Sequence, residues 1–107
     1  MPRIAEMTLD TARPGSERRS VCIALSLPEI DPKDSSGSTY RTLLEFGDFY
    51  KPMYIHGDGS LQSLGLALSM LRNLLEIHAD GGWVLYYSGT DDTASPDLNL
   101  FGKALGP

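Results

Sequence analysis

The chain has a single cysteine, Cys22, so no disulfide can form within it. That usage fits a reducing compartment, and the cytoplasm is the expected location. Long hydrophobic runs are missing too. Every nearly apolar stretch is broken by Ser or Gly well short of the ~20 residues a membrane-spanning helix needs. The opening residues, Met1-Pro2-Arg3-Ile4-Ala5-Glu6, lack the apolar core of a signal peptide. With only two histidines, His56 and His78, both distant in sequence from Cys22, no zinc-ligand spacing appears. Basic residues are scarce, nine against fourteen acidic ones, for a formal charge of −5. The deficit is uneven. Residues 1–20 carry four arginines against Glu6, Asp10 and Glu17, whereas residues 21–107 carry five basic and eleven acidic side chains. An acidic body repels phosphate backbones and anionic lipid, so neither nucleic acid nor membrane is expected as a partner. It suits a basic protein instead.

The 107 residues, 41% apolar and 21% charged, match one globular domain over 1–107. Arg3–Asp10 alternates weakly, with Ala5, Met7 and Leu9 on one side. Ser20–Leu27 alternates without a break, with Val21, Ile23, Leu25 and Leu27 on one side. Arg13-Pro14-Gly15-Ser16 between them is a turn, so the pair reads as a hairpin. Residues 29–38 are rich in Asp, Ser and Gly and read as an exposed loop. Thr39–Phe46 and Phe49–His56 read as further strands, the second either at an edge or starting near Met53, because Pro52 has no N–H for a ladder. Beyond Gly57 the period changes from two to 3.6. This predicts a helix over Ser60–His78 with Ser60 as N-cap, ended by Asp80-Gly81-Gly82. Trp83–Ser88 reads as a last strand and residues 89–107 as a C-terminal tail. The expected fold is therefore α+β: a mostly antiparallel sheet of about five strands, β-β-β-β-α-β, with one long amphipathic helix on one face.

The helix carries the most information. Its polar residues, Gln62, Gly65, Ser69, Arg72, Asn73 and Glu76, occupy one arc of roughly 100°, and most of the remaining ~220° is apolar. Ala67, Leu71 and Leu74 mark the centre of the apolar arc. Leu61, Leu64, Leu68 and Leu75 form one flank; Leu66, Met70 and Ile77 form the other. One sheet does not cover so wide an arc. A second cover is expected, either the tail residues Leu98, Leu100, Phe101 and Leu105 or another protein, a second copy included.

Candidate chemistry is sparse, and no catalytic or metal-binding residue is assigned. His56-Gly57-Asp58-Gly59-Ser60 is a Gly-rich turn entering a helix, where free N–H groups and the dipole favour an anion. Ligand binding there would involve His56, Asp58, Gly59 and Ser60, although the stretch lacks the lysine and spacing of a P-loop. A tight strand-to-helix turn, with Asp58 as a second candidate cap of the helix, explains the same residues. His78 falls in the apolar arc and reads as a histidine satisfied by a hydrogen bond or by the helix C-terminus. Cys22 reads as an inert buried thiol, and Asp91-Asp92 as a solvated loop. Tyr54 and Tyr86, if they share a sheet face, are candidate contacts along with Leu66, Met70 and Ile77.

Gly57-x-Gly59-Ser60-x-Gln62-Ser63-Leu64-x-Leu66-Ala67-Leu68, followed by a strand beginning at Trp83, resembles a family of small uncharacterised bacterial proteins. In those proteins a Gly-x-Asp-Ser-x-Gln-Ala-Leu turn opens the helix. Gly59 stands here at the acidic position and Ser63 at the alanine. The resemblance implies an architecture and no activity or cofactor. Size, acidity and fold class also resemble the small immunity proteins that neutralise bacterial toxins. Two functions are expected on these grounds. One is a non-enzymatic interaction protein with a basic partner or a second copy. The other is a small-ligand-binding protein or enzyme with its site at residues 56–60.

Overall fold

The computed structural model describes residues 2–100. Six strands and one helix follow in the order β1 (Arg3–Ala12), β2 (Arg19–Ser26), β3 (Glu29–Ile30), β4 (Thr39–Phe46), β5 (Tyr50–Asp58), α1 (Gly59–Asp80) and β6 (Val84–Tyr87). All strand pairings in the sheet are antiparallel, and the helix packs on one face, as the periodicities require. β1 and β2 form the expected hairpin, with Leu9 opposite Val21 and Met7 opposite Ile23. β4 lies beside β2 through Leu44 and Phe46, and β5 pairs along the other edge of β4. β6 joins the far side of β1. The order across the sheet is therefore β5-β4-β2-β1-β6, and α1 carries the chain from one edge strand to the other.

The sixth strand is a correction. Residues 29–38 are not loop throughout, because Glu29 and Ile30 pair with Arg41 and Tyr40. β2 leaves β4 at Ser26, and β3 takes over the vacated edge. The Ser26 hydroxyl bridges the break by accepting the Leu43 N–H at 2.8 Å. The rest of the loop is organised by Asp34, whose carboxylate accepts hydrogen bonds from the backbone N–H groups of Ser36 and Thr39 and the hydroxyls of Ser36 and Ser38. These bonds favour the ionised form and hold its pKa far below the ordinary carboxylate value.

The core lies between sheet and helix. Leu9, Val21, Ile23, Leu44, Phe46 and Leu85 meet Ala67, Leu71, Leu74 and Leu75, all buried. Two buried polar bridges tie the layers together. Ser63 Oγ lies 2.8 Å from Thr42 Oγ1 and donates to the Ile55 carbonyl. His78 Nε2 lies 2.8 Å from Thr11 Oγ1. The tail contributes more than a loose end: Ala94 N–H donates to Leu85 O and Tyr87 N–H to Asp92 O, so residues 92–94 run along the outer edge of β6. Among the described residues, no helix is long and apolar enough to cross a membrane.

Candidate functional site

The strand-to-helix turn is set by packing. A Cβ on Gly57 would come within 2.6 Å of the Ser63 backbone nitrogen, so only glycine lets β5 pass this close to the first turn of α1. Gly59 turns the chain at φ +78° and opens the helix. Of the two candidate N-caps, the structure takes the second. Asp58, not Ser60, occupies that position, and its side chain makes no capping bond. The cap runs in reverse: Gln62, four residues on, reaches back to accept the Asp58 N–H at 2.6 Å, one residue later than the position a capping box uses. The Gly59 N–H is taken by Ser38 O at 2.9 Å. Of the first-turn N–H groups that an anion would use, that of Gly59 is thus already bonded. His56 is half exposed, with Nε2 3.4 Å from Asp31 Oδ2, and Ser60 faces solvent.

At the opposite end of α1, His78 is only 2% exposed. The Thr11 hydroxyl donates its proton to Val84 O at 2.9 Å, so the bond between Thr11 and His78 requires a proton on Nε2. The ring stacks on Trp83 at 5.3 Å and 12°, and meets Phe46 and Phe49 at 5.3 and 4.9 Å. Burial lowers its pKa. Thr11 is the partner that sequence reading missed. Its signal was the alternation Ala5, Met7, Leu9 carried one step further than the expected end of the strand at Asp10.

The two flanks of α1 have different fates. Leu75 is buried, Leu64 and Leu68 are partly buried, and Leu98 of the tail packs against the core beside them. Leu68, Leu71, Leu98 and Leu100 border an apolar cleft of about 370 Å³, completed by Ala5, Met7 and Leu25 of the hairpin. Phe101 and Leu105, also expected as cover, lie outside the described residues. The tail therefore reaches the Leu68 flank. On the other flank Met70 packs against the core, but Leu66 is 45% exposed and Ile77 55%. Leu61, in the first turn, is 83% exposed.

The second face of the sheet carries Tyr54 and Tyr86. Tyr54 sits opposite Leu43, and Tyr86 opposite Asp10. They share this face but lie on the two outermost strands, four inter-strand spacings apart and offset by about six residues along the strands, so the distance between them is well over ~19 Å. Each ring lies under a guanidinium, Arg41 over Tyr54 at 4.0 Å and Arg18 over Tyr86 at 3.8 Å. Arg41 is in turn held by Glu29, and Arg18 by Asp91. Cys22 lies half-buried on this face with its sulfur 3.7 Å from Arg3.

Comparison with family models, curated proteins and solved structures finds no match to this chain. The geometry alone must carry a functional reading. Among the described residues, no group of three or more His, Cys, Asp and Glu side chains is placed to hold a metal.

Proposed function

We propose that this chain is a non-enzymatic interaction protein, of the kind represented by small acidic immunity proteins, and that it docks a basic protein partner through the open flank of α1. The observation that carries this reading is the exposure of Leu66 and Ile77 on a helix whose opposite face is locked into the core. Apolar side chains on a rigid element give a partner contact area at little cost in ordering. The chain's net charge of −5 favours a basic protein electrostatically. Tyr54 and Tyr86 are too far apart to act as one hot spot and take a supporting role at most. The second reading, a ligand site at residues 56–60, loses one donor, since the Gly59 amide is already bonded to Ser38 O.

The test compares wild type with Leu66→Glu and Ile77→Glu. Both variants are expected to keep the wild-type melting temperature and to lose a stoichiometric basic partner captured from native lysate. Size-exclusion chromatography with light scattering separates that outcome from self-association. Equal capture by all three proteins would overturn the proposal, and so would a wild-type dimer that both variants dissociate.

A further inference from the structure

β1 is longer than the strand on its outer side. It pairs with β2 from Arg3 to Thr11, but β6 covers only Leu9–Ala12. The chain turns away after Tyr87: Gly89 takes φ +74°, Thr90 N–H donates to Tyr87 O, and Asp10 Oδ2 accepts the Gly89 N–H at 2.9 Å. The outer edge of β1 before Leu9 therefore has no neighbouring strand among the described residues. A register shift between Arg3 and Ala5 ends the regular stretch at the other end, which leaves Ala5–Thr8.

The direction of the backbone groups on this stretch follows from its neighbours. Tyr87 N–H and Leu85 O point away from β1, to Asp92 O and Ala94 N–H. Val84 and Tyr86 therefore point toward β1, where they meet Ala12 and Asp10. Two residues at a time back along β1, Thr8 and Glu6 direct their N–H and C=O to the same outer side. The inner side agrees. Cys22 O is taken by Gly47 N–H, beside β4, so Val21, Ile23 and Leu25 are the residues that bond Leu9, Met7 and Ala5. Glu6 and Thr8 thus hold out an N–H and a C=O each, in strand geometry, with no partner among the described residues. Every residue from Arg3 to Thr8 is exposed.

The two faces beside this edge differ. Ala5 and Met7 share the helix side with the buried Leu9, and there they border the apolar cleft of about 370 Å³ together with Leu68, Leu98 and Leu100. Glu6 lies on the other face. Its carboxylate is 2.7 Å from Arg3, which also meets Glu45 at 3.4 Å, so two carboxylates share one guanidinium.

We propose that the outer edge of β1 is a strand-addition site for an extended segment of another protein, in which a basic residue is flanked by two apolar ones. The segment continues the line of β6, antiparallel to β1, and its backbone bonds the free groups of Glu6 and Thr8. Its basic side chain lies opposite Glu6. The apolar neighbours lie opposite Ala5 and Met7 and point to the side of the cleft. A second copy of the chain fits this edge less well. A register centred on Glu6 sets two like charges opposite each other, and registers centred nearer Leu9 run the second strand into Tyr87 of β6. The site is separate from the flank of α1 at Leu66 and Ile77 and does not rest on that reading.

The test is an amide-resolved NMR titration of the full chain with the synthetic peptide Thr-Val-Lys-Val-Thr, blocked at both ends. The expected result is a saturable shift of the Glu6 and Thr8 amides, with binding about fivefold tighter than that of Thr-Val-Glu-Val-Thr. Methylating the backbone nitrogen of the lysine, which faces β1, should abolish binding. Methylating that of the valine after it, which faces away, should not. Glu6→Lys should reverse the preference between the two peptides, whereas Leu66→Glu should leave both affinities unchanged. The inference fails if the Glu6 and Thr8 amides show no saturable shift, if the lysine-methylated peptide binds as well as its parent, or if the two charge variants bind alike. It also fails if these amides shift on dilution of the protein alone, which marks a second copy. Binding that appears only once residues 101–107 are removed would overturn it too, by giving the edge to the chain's own tail.

Discussion

At the scale of single residues, fit and hydrogen-bond direction matter more than charge. Gly57 is the sharpest case. The side chain it lacks is what lets Ser63 drop onto Thr42 and Ile55. Gly57→Ala must push α1 away from β5, and overpacking of this kind costs about 1–3 kcal/mol. Urea unfolding measures it, and a loss below about 0.5 kcal/mol would show that the first turn can shift freely. The glycine was visible in the sequence as part of a turn. Its reason, a helix backbone pressed against it, was not, because that contact depends on where α1 lands. The same holds for the reversed cap. Ser60 has the better capping side chain, but the turn at Gly59 leaves the free amide where Gln62 reaches it.

At the scale of elements, α1 explains most of the architecture. The centre of its apolar arc, read from periodicity, is the buried centre: Ala67, Leu71 and Leu74 are at most 5% exposed. Leu71→Ala is expected to cost about 2–5 kcal/mol as a core truncation. Leu66→Glu, on the open flank one turn away, is expected to change stability by about 0.5 kcal/mol or less. Chemical denaturation of the two variants side by side checks both, and equal losses would mean that the open flank is covered. The width of the arc was legible in the sequence. Which flank the tail would take was not, since Leu98 and Leu100 are equally apolar whichever side they meet. The strands behave likewise. Alternation marked β4 to the residue, whereas β3 has two residues and no period to detect; it exists because β2 departs at Ser26.

At the scale of the whole molecule, the charge asymmetry along the chain is largely resolved inside the fold. The arginine-rich hairpin sits in the middle of the sheet. Arg3 reaches Glu45, Arg18 reaches Asp91 and Arg19 reaches Asp48. These pairs are exposed and contribute little individually. The pH dependence of folding should instead follow the groups with shifted pKa. His78 has a folded pKa below its unfolded one, so the folded state binds fewer protons. Stability is complete above about 6.5 and is lost as pH falls below it. Asp34, with a pKa held low by its loop hydrogen bonds, adds a second loss only below the ordinary carboxylate value of 3.8. Urea midpoints measured from pH 8 to pH 3 should therefore fall in two stages. His78→Phe should remove the first and keep the second; a single fall near 4 in both proteins would contradict the assignment.

The sequence by itself determined the fold class, the extent of β1, β2, β4, β5 and α1 to within two residues, and the buried centre of the helix, and it left β5 as either an edge strand or one starting near Met53. All of these follow from local period, turn chemistry and the missing N–H of Pro52, which the chain carries wherever it folds. Only the tertiary structure decided the partners: His78 with Thr11, Ser63 with Thr42, β6 beside β1, and the tail on the Leu68 flank. Those pairings join residues far apart in sequence, and local pattern contains no term for which of several equally apolar or polar surfaces will meet. The long helix, which periodicity described as one wide apolar arc, is divided by the fold into a core, a flank that the tail reaches at Leu68, and an open flank at Leu66 and Ile77.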